Sequence, residues 1–454
     1  MSTKEKAVNQ ITEGVIWKQL LFFFFPIMLG TLFQQLYNTA DAVVVGRFVG
    51  TRALAAVGGS TGQMVNLIVG FFVGLSSGAT VIIARYYGAK NKKDLNDTLH
   101  TAAALSVAGG ILITIAGILF TPSMLKIMKT PADVMADSAT YLRIYFGGII
   151  FVFIYNVGSA ILRAVGDSTR PLYFLIVCCF INIFLDVLLV VGFNRGVAGA
   201  AIATVGSQAV SAVLVIWALL KSTDMYCLHP KEIRFHKFLL VSIITIGLPA
   251  GIQSVMYNLA NMIIQTSLND LGTSTMAAYT AFGKIDAIYW MISGAFSVSI
   301  TTFIGQNYGA QKYDRMKKSV KICLFMDFLA SILVSALLLF FGEYLLRLFT
   351  TDPEVLKVGM KIIHIIAPSY VLFIFIEILS STLRGIGNVL VPMLMTCGGV
   401  CILRIIWIFF VVPHRPGVSN ILLCYPISWG LTAVLFILYY YTQQKKFFHA
   451  HQQI

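Results

Sequence analysis

The chain has 454 residues, 58% of them apolar and 11% charged, with a mean hydropathy of +0.83. Soluble domains carry about 25% charged residues and cannot bury this much apolar surface, so a soluble fold is excluded and a polytopic membrane protein is expected. The net charge of +14 comes from 33 Lys and Arg against 19 Asp and Glu; it would suit a nucleic-acid partner, but the distribution of the basic residues below removes that reading.

Residues 1–18 are largely polar, and the apolar run that follows is long and lacks a small-residue cleavage site. The expectation is a first transmembrane helix that is retained, not a signal peptide. A crossing needs about 20 apolar residues. Twelve such runs follow in order, at 19–46, 53–84, 98–121, 138–162, 171–193, 197–220, 239–265, 276–305, 322–342, 362–382, 392–412 and 420–442. With the N-terminus in the cytoplasm, Lys and Arg divide as 21 cytoplasmic, 9 external and 3 within spans (Arg143, Lys284 and Arg404). This is the positive-inside pattern, so both termini are expected in the cytoplasm and no nucleic-acid partner is needed. The seven cysteines show no metal-ligand spacing and read as small buried hydrophobes.

The chain repeats itself. YGAK at Tyr87–Lys90 returns as YGAQ at Tyr308–Gln311, 221 residues later, and LRAVGD at Leu162–Asp167 returns as LRGIGN at Leu383–Asn388 at the same shift. VGTRALAA from Val49 is echoed by LGTSTMAA from Leu271 at a shift of 222, and Pro26 and Asn38 by Pro249 and Asn261 at 223. The halves are residues 1–230 and 231–454, with a polar cytoplasmic linker at about 221–238. Six helices per half is an even number, so the halves share one orientation. The expected fold is all-α, with two parallel six-helix repeats around a central cleft, which is a transporter architecture.

Four motifs now carry a resemblance. PIMLGTLFQQLYNTAD from Pro26 to Asp41, RYYGA from Arg85, LRAVGDSTRP from Leu162 to Pro171 and GQNYGA from Gly305 resemble the multidrug and toxic-compound extrusion (MATE) transporters, closest to the bacterial DinF-like branch. The resemblance runs through nearly the whole chain. It implies a bacterial inner-membrane protein that exports cationic or amphiphilic organic compounds against inward flow of protons or sodium. It also implies an acid on the first helix and an Asn-x-x-x-Asp on the fifth, here Asn182 and Asp186. The NorM-like branch carries an acid on the seventh helix; Ala250–Gln265 has none.

Asp41 interrupts an otherwise uncharged span. An ionisable residue there costs roughly 2.5–3.5 kcal/mol on insertion scales. At about 1.5 Å per residue, Asp41 lies about 8 Å below the external end of its helix, and Asp186 and Thr204 about 10 Å below theirs. Gln34, Asn38 and Asp41 share a stripe at helical spacing, as do Asn182 and Asp186. The second half has Ile263 or Ile264 for Asp41, Leu403 for Asn182 and Trp407 for Asp186, so the fold does not require these polar groups. Two carboxylates in a low-dielectric cavity do not both ionise cheaply, so the pair is expected to take up a proton; the same carboxylates with the Asn182 and Thr204 oxygens would equally form a hard-oxygen cage for sodium. The resemblance maps ion binding onto these four positions. Tyr37, Asn156, Asn261, Lys284 and Glu377 are further candidates to line the cleft, Glu377 for a cationic substrate. Pro26 is a candidate hinge. The coupling ion is the only cofactor expected, the partners are small organic substrates and membrane lipid, and the chain is expected to work as a monomer.

Two rival readings share some of these features. A lipid-linked oligosaccharide flippase of the same superfamily would carry cationic cavities and often extra helices, whereas the paired membrane charges here are acidic. An intramembrane aspartyl protease is suggested by AVGD at Ala164–Asp167, but the leading glycine is missing and the repeat puts Asn388 in place of Asp167. With no HExxH or Walker A sequence either, no enzyme is expected.

Overall fold

The computed structural model describes residues 11–449 apart from Lys129. Among these residues, eleven helices are long and apolar enough to cross a membrane. The first six crossings are α1 (Ile16–Phe48), α2 with α3 (Thr51–Gly58, Ser60–Gly88), α4 (Lys92–Ile127), α5 with α6 (Met135–Gly147, Ile149–Ala164), α7 (Thr169–Asp186) with a π-helical extension Val187–Gly192, and α8 (Gly196–Leu220). The second six are α9 (Lys237–Asn269), α10 (Thr273–Gly309), α11 (Tyr313–Arg347), α12 with α13 (Pro353–Ile366, Tyr370–Gly385), α14 with α15 (Leu390–Thr396, Leu403–Ile406), and α16 with α17 (Val418–Leu422, Cys424–His449). The α5–α6 pair, bent by 48°, is the twelfth crossing. The bend falls at Gly148, where a β-carbon would collide with the Val205 side chain on α8. Its repeat counterpart is the 3-10 turn Ala367–Ser369 between α12 and α13.

The motifs that recur between the halves are turn devices. Lys90 and Gln311, which end the two YGA motifs, both take left-handed backbone, at φ 55° and 56°. Gly166 and Gly387, in the LRAVGD and LRGIGN turns, sit at φ 99° and 83°, a region that favours glycine. Asp167 is a capping residue: its Oδ1 accepts from the N–H of Thr169 and of Arg170, and Oδ2 pairs with the Arg170 guanidinium at 3.0 Å. That structural work accounts for the aspartate of AVGD without any catalytic role.

The chain forms two compact units. The first comprises Phe25–Gly251 and the second Ile11–Phe24 with Ile252 onward. Thus α1 places its first turns in the second unit and the rest in the first, and α9 does the reverse. The changeovers fall beside Pro26 and Pro249. In the first unit, Gly74 and Gly78 of α3 lie against Gly247 and Gly251 of α9 so closely that a β-carbon on Gly74 would sit 2.5 Å from the Gly251 nitrogen. This is a small-xxx-small crossing, with glycines on both helices. In the second unit, the Phe24 and Phe296 rings stack at 4.2 Å. There Arg315, on α11, donates to the carbonyls of Ile11, Glu13 and Gly14 and to Gln19 Oε1. The first unit holds its incoming segment in a similar way: His100 Nε2 accepts the His229 N–H at 2.9 Å, and Thr101 Oγ1 accepts that of His236 at 3.2 Å.

Candidate functional site

Three elements of the first unit bring the predicted ion residues together. Asp41 comes from α1, Asn182 and Asp186 from the last turns of α7, and Thr204 from α8, along which α7 packs. Immediately after Asp186 the helix becomes π-helical, a local widening often found at functional sites.

All four side chains are buried, Asn182 and Asp186 completely. The Thr204 hydroxyl has one proton to give, and its oxygen stands 3.2 Å from Asp41 Oδ2 and 3.0 Å from the Ala200 carbonyl. Asp41 and Asp186 face each other within hydrogen-bonding reach. With both ionised, neither can donate to the other, and Asp41 Oδ1 and both Asp186 oxygens are then left without a donor. Asn182 likewise has no partner for either amide atom. Among the described residues no Lys or Arg lies within ion-pair distance of either carboxylate. Buried unpaired polar groups are costly, and here five such atoms gather in one place. A proton between the carboxylates would join them in one hydrogen bond, and a small hard cation would be held by the four unpaired oxygens.

The surrounding shell is aromatic and polar. Tyr37, buried one turn before Asp41, accepts a hydrogen bond from Gln208 Nε2 at 3.2 Å, and Gln34 is within reach of its hydroxyl. Tyr141 lies against Thr204 and stacks on Tyr145. Gln208, Tyr141 and Tyr145 carry no signal in the sequence beyond the aromatic and polar content of any buried helix. Asn38 is exposed, because it stands about 60° around α1 from Asp41. Asn156 is half-buried and spends its amide on the Val152 carbonyl at 2.8 Å.

The remaining candidates lie in the second unit. Asn261 and Lys284 are exposed and Glu377 is half-buried. Asp286 accepts from Trp290 Nε1 at 2.6 Å and from the Tyr370 hydroxyl. The sequence reading overlooked Asp327 on α11. It is fully buried, both its oxygens lack a donor, and Glu377 is close enough to act on it electrostatically. Its signal was a lone carboxylate in an apolar span with Ser331 one turn on.

Twelve helical crossings with a buried acid pair in one repeat define a membrane transporter of the two-repeat kind. The MatE family matches the chain twice, over residues 26–188 and again over 249–410, and the chain belongs to that family. The two matches coincide with the internal repeat. Among its relatives is the probable multidrug resistance protein YoeA of Bacillus subtilis (strain 168), 29% identical over 456 residues and covering 98% of each chain. Another is the multidrug export protein MepA of Staphylococcus aureus (strain bovine RF122 / ET3-1), 22% identical over 438 residues and covering 96% of each. A solved MOP superfamily transporter from Pyrococcus furiosus superposes with a TM-score of 0.90 at 22% identity, over 98% of this chain and 99% of the other. That last likeness is one of fold.

Proposed function

We propose that the protein exports cationic or amphiphilic organic compounds from a bacterial cell by exchange for protons or sodium ions, with Asp41, Asn182, Asp186 and Thr204 as the site for the coupling ion. The observation that carries this reading is the buried, uncompensated carboxylate pair, which half two of the repeat replaces with apolar residues. The multidrug names of the relatives support the substrate class.

The mechanism follows from electrostatics. Two ionised carboxylates in a dry cavity repel one another and lack donors. An entering proton turns the pair into a hydrogen-bonded acid and carboxylate, and an entering sodium ion is shared by their oxygens with those of Asn182 and Thr204. Either ion favours whichever shape of the first unit closes around it, and it shifts the balance only by its difference in affinity between shapes. Pro26 is the hinge in this reading. It lacks an N–H, which frees the Phe22 carbonyl where α1 passes from one unit to the other. Gln34 and Tyr37 link that hinge to Asp41 along α1. Both termini lie in the cytoplasm of this arrangement.

The test is uptake of a fluorescent cationic dye into inside-out vesicles, under an imposed proton gradient and then a sodium gradient. Uptake driven by one gradient and absent from Asp41→Asn and Asp186→Asn vesicles is the expected result. Uptake that ignores both gradients would end the ion-exchange reading.

A further inference from the structure

Arg404 is a buried cation without a counter-ion. It sits on α15, four helical residues held between π-helical stretches at Cys397–Ile402 and Trp407–Val411. It is 1% exposed. Its guanidinium lies over the Tyr425 ring at 4.0 Å and near the Trp429 ring at 5.3 Å. Nε donates to Ser428 Oγ at 3.1 Å, Nη1 makes a long 3.4 Å contact with Asn261 Oδ1, and Nη2 has no acceptor. Among the described residues, no carboxylate stands within ion-pair distance. The repeat puts Ile183 at this position in the first half, so the fold does not demand the charge.

The neighbouring polar groups also point to a missing acceptor. The Trp429 indole N–H has no acceptor, and the Tyr257 hydroxyl, within electrostatic range of the guanidinium, has no partner. Of the acids in this region, Asp286 is engaged by Trp290 and Tyr370, and Glu377, in electrostatic range of the Tyr257 hydroxyl, stands outside ion-pair distance of Arg404. Aromatic faces attract a desolvated guanidinium, but they accept no hydrogen bond from its edge, and an unpaired membrane charge is costly. The unpaired Nη2 of the cation and the two unpaired donors beside it make an anion site, and a guanidinium edge fits a carboxylate better than a spherical ion. The Tyr425 and Trp429 rings supply an apolar wall beside it. Half-buried Tyr257 and exposed Asn261 give the approach.

We infer that Arg404, with the Trp429 N–H and the Tyr257 hydroxyl, binds the carboxylate of an acidic or zwitterionic aromatic substrate. This extends the substrate range in Proposed function and rests on that reading for the ligand's origin; the binding itself needs no transport.

Two dyes of one skeleton test it. Rhodamine 110 carries a free carboxylate and rhodamine 123 is its methyl ester. Their binding to the purified full-length protein is followed by fluorescence anisotropy, without any ion gradient. Benzoate should displace rhodamine 110 from the wild-type protein and leave rhodamine 123 bound. Arg404→Gln should weaken rhodamine 110 by about tenfold or more and rhodamine 123 by under about twofold, as expected for loss of a charged hydrogen-bond pair. Arg404→Lys keeps the charge but loses the planar fork, and should fall between. Equal loss of both dyes in Arg404→Gln, or failure of benzoate to compete in the wild-type protein, overturns the proposal; the benzoate measurement needs no variant to fold. Either result leaves ion-driven export of cationic dye standing, since that is read in vesicles.

Discussion

Thr204 Oγ1 stands 3.2 Å from Asp41 Oδ2, although 163 residues separate them in the chain. The hydroxyl is the one neutral donor positioned on that carboxylate among the described residues. Thr204→Val removes it at nearly constant volume and should weaken the coupling ion by about tenfold to a hundredfold, the worth of a hydrogen bond to a charged group, ~1.5–3 kcal/mol. Thr204→Ser should restore most of the loss. The ion concentration giving half-maximal dye exchange reads both.

Asp41→Asn and Asp186→Asn should each abolish coupled efflux, yet leave the purified protein as heat-resistant as the wild type or more so. Each change removes half of an uncompensated buried pair, so it relieves a cost even as it destroys the ion site. Normal drug resistance at wild-type expression would refute the functional part. A lowered Tm would show instead that the pair holds the fold.

Glu377→Gln should reduce resistance to cationic compounds by about tenfold, in line with loss of one charge partner, and leave neutral amphiphiles nearly unaffected. Glu377 lies in the unit without the acid pair and beside Asp327. Equal loss of both compound classes would move Glu377 into the coupling machinery.

Pro26→Ala should keep ion binding and slow dye transport by about tenfold or more. Restoring an N–H inside α1 recovers a helix bond and lifts the cost of an interior proline, ~3 kcal/mol. Ion binding to purified protein and efflux in vesicles must be measured together; a wild-type transport rate would refute the hinge.

Gly78→Ala should destabilise the first unit by ~1–3 kcal/mol, the usual cost of overpacking. Its new β-carbon would meet the Ile243 carbonyl and lie 2.8 Å from the Gly247 nitrogen, both backbone atoms with little freedom to yield. Thermal unfolding in detergent reads the effect, and an unchanged Tm would show that the α3–α9 crossing is looser than drawn.

Much of this was legible in the sequence, for identifiable reasons. Hydropathy fixed the twelve spans because a bilayer imposes one length on all of them. The 221-residue echo exposed the repeat because its motifs are left-handed turns at Lys90, Gln311, Gly166 and Gly387, where few residues fit. The same echo singled out Asp41, Asn182 and Asp186 by their absence from half two. Other features were hidden. Asn38 shares a helical stripe with Asp41, but the stripe is wide enough to leave one end exposed. Asp327 and Arg404 are single charges in apolar runs, and only the packing around them shows that they lack partners. The changeovers at Phe24 and Gly251 could not be read from the polar linker, because they depend on how the helices pack, Phe24 on Phe296 and Gly251 on Gly74.

Those changeovers bear on descent. A chain with half this length would still need the opening turns of a first helix to complete its bundle, and here each bundle takes them from the other copy of the repeat. An exchanged pair, each copy lending its leading segment to its twin, would have let such an ancestor close its core. Fusion through the polar linker would then have made a permanent partnership out of one that already existed, and only afterwards could the two copies diverge, one keeping the Asp41–Asp186 pair in its interior and the other Asp327 and Arg404.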